Sequence, residues 1–229
     1  MIVVGGQAVN FWANKYHRTE KELLQFRPYT SEDVDFYGLK KEAISVAQAL
    51  GVEIQVPRKS AASPVSASFE VTGPGGTKMP VHFLHNLCGL KNELVADSAI
   101  EGVWKNKRIR VTNPIVALKG KIACLHQLSQ KDRQDEKHVR MLIPCVRGFL
   151  KELCGIVDSG RSQEARRLLQ TIEKLTDMLA APDGKAVAKK YRIDFSGVLP
   201  VEELKKIKNS KLEKFLSTRY PQILKQISF

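Results

Sequence analysis

Short apolar runs separated by glycine turns dominate the first half of the chain and predict a sheet. The runs IVVGG (2–6), DVDFY (33–37) and RIRVTN (108–113) are rich in the β-branched and aromatic residues that favour strands. SFEVTGPGGTKMPVHFLHNL (68–87) predicts a hairpin, because two such runs flank a Gly-Pro-Gly-Gly turn. A further short strand is expected over 52–56.

Helical periodicity predicts a helix after each of the first two strands and several more helices throughout the second half of the chain. AVNFWANKY (8–16) and LKKEAISVAQALG (39–51) have helical spacing, and Gly51 stands where a helix is expected to end. Asn113 is a suitable cap, and Pro114 suits the first position of a helix. Helical patterns then cover residues 115–130, 135–157, 162–181 and 201–227, the last with a break near Pro221.

Charge is unevenly divided along the chain, whose formal net charge is +13. Residues 1–90 hold nine Lys and Arg against eight Asp and Glu, which leaves 28 against 16 for the remainder. The sequence thus predicts an α/β domain over residues 1–112 and a basic helical domain over residues 113–229. A basic C-terminal half favours an anionic partner such as RNA or a nucleotide, and a solvated surface that confers solubility is the alternative.

Composition predicts an ordinary cytoplasmic globular protein that does not enter a membrane. The 229 residues are 43% hydrophobic, which is enough for a sizeable core. No apolar run approaches the roughly 18 residues that a membrane span needs. The four cysteines form no C-x-x-C pair, so we expect buried, reduced thiols and no structural zinc site.

Asp33 and Asp35 lie two residues apart in a predicted strand and therefore point to the same face. Their repulsion is tolerated if both are solvated, if one is protonated or if a multivalent cation lies between them. The first predicted strand ends at Gly5 and Gly6, which allow a phosphate or ribose to approach the backbone at the start of a helix. A plain strand-to-helix turn is the other interpretation.

The order of these elements resembles the nucleotidyltransferase superfamily, which includes polymerase beta and the antibiotic adenylyltransferases. More narrowly, VVGGQAVNFWA, TSEDVDFY, a lysine in the helix after the sheet and then KDRQD resemble the AbiEii/AbiGii toxin-type nucleotidyltransferases. The resemblance spans residues 2 to about 150. It implies an α+β fold, with a small mixed-sheet domain like that of polymerase beta followed by a helical domain.

This resemblance also implies an activity, which is the transfer of a nucleoside monophosphate from ATP or another nucleoside triphosphate to a hydroxyl acceptor such as RNA. Asp33 and Asp35 would coordinate Mg²⁺ or Mn²⁺ in two-metal chemistry. An antitoxin-like protein partner belongs to the same expectation. The nucleotide would be held by two groups of residues, Gly5, Gly6 and Gln7 in the first and Lys121, Lys131 and Asp132 in the second.

One position departs from the family pattern. The family has a third carboxylate on a later strand, and this chain has His82 there. His82 would act as a base or a metal ligand, or Glu70 on the neighbouring strand would replace the carboxylate. The alternative function is a catalytically degenerate member of the fold that binds nucleotide, RNA or a protein partner. Trp12 and Trp104 are expected in the core.

Overall fold

Two compact units make up the chain in this computed structural model, which describes residues 1–58, 63–157 and 162–227. The first unit consists of Met1–Lys15 and Phe26–Gly120, and the second of Tyr16–Gln25 and Lys121–Phe229. The predicted division after residue 112 lies close to the end of the sheet. The first unit continues beyond it to residue 120, and a short early segment belongs to the second unit.

The first unit contains a mixed sheet with six strands in its described residues. The strands are β1 Ile2–Val3, β2 Val34–Tyr37, β3 Val65–Thr72, β4 Lys78–Leu84, β5 Ile100–Trp104 and β6 Lys107–Val111. Their order is β3-β4-β2-β1-β6-β5, with β2–β4 and β1–β6 parallel and the other pairs antiparallel. The expected α+β class with a mixed sheet is confirmed.

The described α-helices are interspersed with the strands in the first part of the chain and follow one another in the second. In the first part of the chain they are α1 Gly5–Tyr16, α2 Lys40–Leu50, α3 Asn92–Asp97 and α4 Pro114–Gln127. The later helices are α5 Asp135–Ile156, α6 Ser162–Ala180, α7 Pro182–Tyr191, α8 Val201–Lys205, α9 Ser210–Lys214 and α10 Tyr220–Ile227. None of the described helices is long and apolar enough to cross a membrane.

One face of the β3-β4-β2 sheet is buried and fixes the strand register. Val34 pairs with Val81 and Phe36 pairs with Phe83, and the side chains of all four pack in one cluster with Ala43 of α2. Phe83 is fully buried there. Since side chains alternate along a strand, the residues between these apolar positions face the opposite side of the sheet.

Several predicted elements differ from the observed ones. Residues 52–56 form no strand, and only Gln55 bridges to Ser68. Strand β5 and helices α3 and α7 were not predicted. The C-terminal helix is interrupted before α9, because the Asn209 side chain accepts hydrogen bonds from the N–H groups of Lys211 and Leu212 and so begins a new helix. A π-helical segment, Phe215–Arg219, directly precedes α10, so the helix is also irregular near Pro221, where a break was expected.

A buried carboxylate joins the early segment of the second unit to α5. Glu20 is 3% exposed and accepts hydrogen bonds from Arg147 Nε and Nη2 at 2.8 and 2.6 Å. Lys151 Nζ lies 2.8 Å from Glu20 Oε1. The neighbouring Glu22 also pairs with Arg147, but its side chain is 47% exposed.

We predict that Glu20→Ala lowers the free energy of unfolding by about 3 kcal/mol, because it leaves two cations without their buried counter-charge. Glu22→Ala is the matched control, and its cost should stay below about 1 kcal/mol because that pair is solvated. Urea unfolding of the full chain measures both values. Equal losses in the two variants would contradict the structural role of Glu20.

Candidate metal centre

The junction between β1 and α1 lies directly against the start of β2. The Val4 N–H donates to the Asp35 carbonyl at 3.0 Å. Gly5 follows with φ of +60°, and a Cβ atom built there would lie 2.2 Å from Asp35 Oδ2. Only glycine meets both requirements, the left-handed backbone and the close approach of the carboxylate.

Asp33, Asp35 and His82 converge on the sheet face opposite the apolar cluster. Asp35 pairs directly with His82 in the parallel register between β2 and β4. One ligand atom from each of the three side chains lies within 4.8 Å of the other two, and each residue is half-buried. Two carboxylate oxygens and one imidazole nitrogen suit a divalent cation such as Mn²⁺, Mg²⁺ or Zn²⁺, and the imidazole favours Mn²⁺ and Zn²⁺ over Mg²⁺.

Two polar side chains orient Asp33. Ser31 Oγ donates to Asp33 Oδ1 at 3.0 Å, and Gln7 Nε2 donates to the Asp33 backbone carbonyl at 3.3 Å. Gln7 lies in the first turn of α1, so its hydrogen bond ties the helix start to the loop that precedes β2. Gln7 was predicted to contact nucleotide, and its observed partner is the backbone of Asp33. The sequence reasoning missed Ser31, because no local sequence pattern marks a serine side chain as the partner of an aspartate side chain two residues later.

The same helix start provides a setting for an anion. Gly5, Gly6 and Gln7 form the first turn of α1, a 12-residue helix. The first N–H groups of a helix have no partner within the helix and carry the positive end of its dipole. The predicted phosphate-binding residues therefore lie beside the carboxylates of the candidate cation site.

The protonation state of His82 sets the net charge of the site. Its Nδ1 lies 3.4 Å from Asp35 Oδ1. The hydrogen bond to Asp35 raises the pKa of His82 above its ordinary value, against the opposing effect of burial, and the charges of Asp35 and Asp33 raise it further. A protonated His82 would neutralise part of the carboxylate charge, so the imidazolium and a bound cation are competing solutions to the same repulsion.

Glu70 lies away from the cluster of three. It pairs with Pro80 across β3 and β4, one strand beyond the strand that neighbours Asp33. Its carboxylate forms an ion pair with Lys78 at 3.3 Å, and its side chain is 56% exposed. Among the described residues, His82 and not Glu70 is the third member of the possible metal-binding group.

Lys121, Lys131 and Asp132 belong to the second unit. Lys121 Nζ donates to Asp135 Oδ1 at 2.8 Å, and Arg133 Nε donates to Asp135 Oδ2 at 2.6 Å. Burial alone would raise the pKa of Asp135, which is 1% exposed, but these two cations outweigh it and lower the pKa. Lys131 and Asp132 are exposed and precede α5.

A buried histidine accompanies this ion-pair cluster. His138 is 6% exposed, and neither of its ring nitrogens forms a hydrogen bond. Burial lowers the pKa of His138 to about 3, and the Lys121 charge adds to the effect. His138 therefore stays neutral at physiological pH beside the Lys121–Asp135 pair.

Comparisons with known proteins assign no family to the chain. No protein-family model matches it, and no curated protein matches its sequence.

We predict that Gly5→Ala lowers the free energy of unfolding of the first unit by far more than the positive φ of Gly5 alone would account for. The added Cβ would displace the Asp35 carboxylate and so disturb the cluster as well as the fold. Overpacking of this kind costs about 1–3 kcal/mol, in addition to about 1–2 kcal/mol for an L-residue in the left-handed region.

Gly51→Ala is the matched control for this change. Gly51 has φ of +65°, and nothing lies within 4 Å of a Cβ built there. Its substitution should therefore show only the backbone cost, about 1–2 kcal/mol in chemical denaturation. Equal losses of stability in the two variants would contradict the close approach of Gly5 to Asp35.

We also predict that Asp35→Asn lowers the pKa of His82, because the largest cause of its elevation is the hydrogen bond to Asp35. NMR titration of the histidine ring protons measures the shift, with His82→Gln used to assign the resonance. In the wild-type protein the His82–Asp35 contact stabilises the fold below the ordinary histidine pKa, and this stabilisation is lost as the pH rises through the raised value. Glu70→Gln is the control and should leave the His82 pKa unchanged. If Glu70→Gln lowers the His82 pKa and Asp35→Asn does not, the hydrogen bond to Asp35 is not the cause of the elevation.

Proposed function

We propose that this protein is a metal-dependent nucleotidyltransferase that transfers a nucleoside monophosphate from a nucleoside triphosphate to a hydroxyl acceptor. The observation that carries the proposal is the convergence of Asp33, Asp35 and His82 within 4.8 Å, beside the glycine-rich start of α1. This arrangement joins a candidate cation site to a candidate phosphate site, and nucleotidyl transfer needs both.

The triphosphate would be held at the first turn of α1. Gly5 and Gly6 present backbone without side chains, so phosphate oxygens can reach the N–H groups of the turn, which have no acceptor within the helix. Gln7 is already bonded to the Asp33 carbonyl, so its role is to hold the aspartate loop in place. Lys121, Lys131 and Asp132, predicted from the resemblance, remain proposed nucleotide contacts.

Asp33, Asp35 and His82 would hold the cation, Mg²⁺ or Mn²⁺. When bound, such an ion neutralises charge at the α-phosphorus and makes an acceptor hydroxyl more acidic. Asp33 is oriented for this role by Ser31, and Asp35 is held by the packing of Gly5 against it. His82 supplies a neutral ligand where a carboxylate would supply a charge, so the site should favour Mn²⁺ over Mg²⁺.

A second candidate function is supported by the contact between His82 and Asp35. The 3.4 Å separation and the raised pKa of His82 favour an imidazolium that balances the carboxylates without a metal. In that case the protein binds nucleotide, RNA or a protein partner and catalyses no transfer. RNA, which the basic C-terminal half was predicted to hold, and an antitoxin-like protein are the proposed macromolecular partners.

We expect Mn²⁺ with a non-hydrolysable nucleoside triphosphate to raise the melting temperature, because ligands that bind only the folded state stabilise it. The double variant Asp33→Asn, Asp35→Asn should lose this rise. Glu70→Gln, which removes a carboxylate outside the cluster, should keep it. An equal rise in the double variant would exclude the proposed cation site.

Incubation of the protein with each α-labelled nucleoside triphosphate, Mn²⁺ and total RNA then tests transfer. Label on RNA that depends on Asp33 and Asp35 supports the enzyme, and activity should be higher with Mn²⁺ than with Mg²⁺. His82→Asp should restore activity with Mg²⁺. Ligand-induced stabilisation without any transfer, to RNA or to the protein itself, would favour the catalytically inert alternative.

A further inference from the structure

The hairpin formed by β5 and β6, residues 100–111, ends in a tight two-residue turn. Trp104 pairs with Lys107 across it, and the residues between them, Lys105 and Asn106, have φ of 45° and 62°. Two successive residues with positive φ form the type I′ turn, which favours Asn and Gly. The left-handed backbone of Lys105 is therefore unfavourable in free energy, because lysine has a Cβ atom. We call residues 100–111 the basic hairpin.

The turn of the basic hairpin is surrounded by positive charge. Its four cationic side chains, all exposed, are those of Lys105, Lys107, Arg108 and Arg110. Glu101 is the single acidic residue of the hairpin. Arg110 donates to the Ala96 carbonyl at 3.2 Å, whereas the other three cations form no ion pair with any described residue. These three charges are thus available to an external anion.

An aromatic ring is exposed next to these charges. Trp104, expected in the core, is 39% exposed at the end of β5. The Phe11 ring lies 6.2 Å from the Trp104 ring between centroids and covers Gly102, where a Cβ would approach Phe11 Cζ to 2.4 Å. Phe11 therefore holds the indole from one side. Strand β5 is also the last strand of the sheet order, so its outer edge has no neighbouring strand in the described residues.

We propose that the basic hairpin binds single-stranded RNA. Lys105, Lys107 and Arg108 can each neutralise a phosphate where a strand passes around the turn, with Lys107 and Arg108 on opposite faces of β6, and Trp104 can stack on a base. Proteins that bind single strands use this combination of cations and an aromatic ring. Asn106 adds an amide that both donates and accepts hydrogen bonds, as the RNA 2′-hydroxyl does. The binding itself is independent of the metal centre. RNA as the acceptor of transfer rests on the proposed function.

The test is fluorescence anisotropy of a short labelled single-stranded RNA, measured over a range of salt without metal ions or triphosphate. The triple variant Lys105→Ala, Lys107→Ala, Arg108→Ala should make the negative slope of log affinity against log salt shallower by about 2, because three phosphate contacts are lost. Trp104→Ala should weaken binding by about 10-fold and leave the slope unchanged, and Trp104→Phe should restore most of the affinity. Circular dichroism melting verifies that each variant is folded.

A charge-matched control removes three exposed lysines of the second unit, Lys206, Lys208 and Lys211, by substitution with alanine. This control should leave affinity within about 2-fold if the basic hairpin is the binding surface. Loss of binding in the control with retention in the hairpin variant would overturn the proposal and assign RNA to the helical unit. Equal affinity for DNA of the same sequence would overturn the assignment to RNA.

A second outcome would assign the basic hairpin to self-association. Light scattering that shows a dimer, its loss on Val103→Glu and the absence of RNA binding at low salt would together overturn the proposal. Val103 is the appropriate probe because it is 66% exposed on the edge strand β5. A monomer that binds RNA through the hairpin but catalyses no transfer would support the binding surface and refute only the enzymatic function.

Discussion

The parallel register between β2 and β4 is the constraint on which the candidate site depends. Val34, Phe36, Val81 and Phe83 bury one face of these strands, so the polar residues between them must occupy the other face. A slip of one residue would send Asp35 or His82 into the apolar cluster, at a large cost in free energy. The hydrophobic core thus sets the geometry of the site.

Burial of the other face of β2 also keeps Asp33 and Asp35 together, because residues two apart share a face, and the molecule must compensate for the repulsion between these two carboxylates. Gly5 lies against Asp35, which limits how far that carboxylate can move away, and Ser31 fixes Asp33. A divalent cation and a protonated His82 are the two available sources of positive charge. They exclude each other at the His82 ring, because a metal-bound nitrogen cannot carry the proton. The choice between an enzyme and a binding protein therefore reduces to which cation occupies this face.

Local signals in the sequence were sufficient for much of the fold. The first strand, the helix that ends before Gly51 and the Gly-Pro-Gly-Gly hairpin were predicted and are confirmed, whereas Gly5 and Gly6 begin helix α1 and do not form a separate turn. Strand β5 was missed because its turn, Lys105-Asn106, lacks the glycine that usually marks a hairpin. The shared face of Asp33 and Asp35 follows from their spacing, but the position of His82 and Glu70 relative to them depends on strand pairing between distant segments, which no local pattern determines.

Anomalous diffraction from crystals of the protein grown with Mn²⁺ tests the central claim most directly. The account predicts a manganese peak bonded to one oxygen each of Asp33 and Asp35 and to a ring nitrogen of His82. A peak without His82 among the ligands would contradict its role in the site. Absence of a peak, with His82 still paired to Asp35, would contradict the metal centre and with it the proposed enzyme.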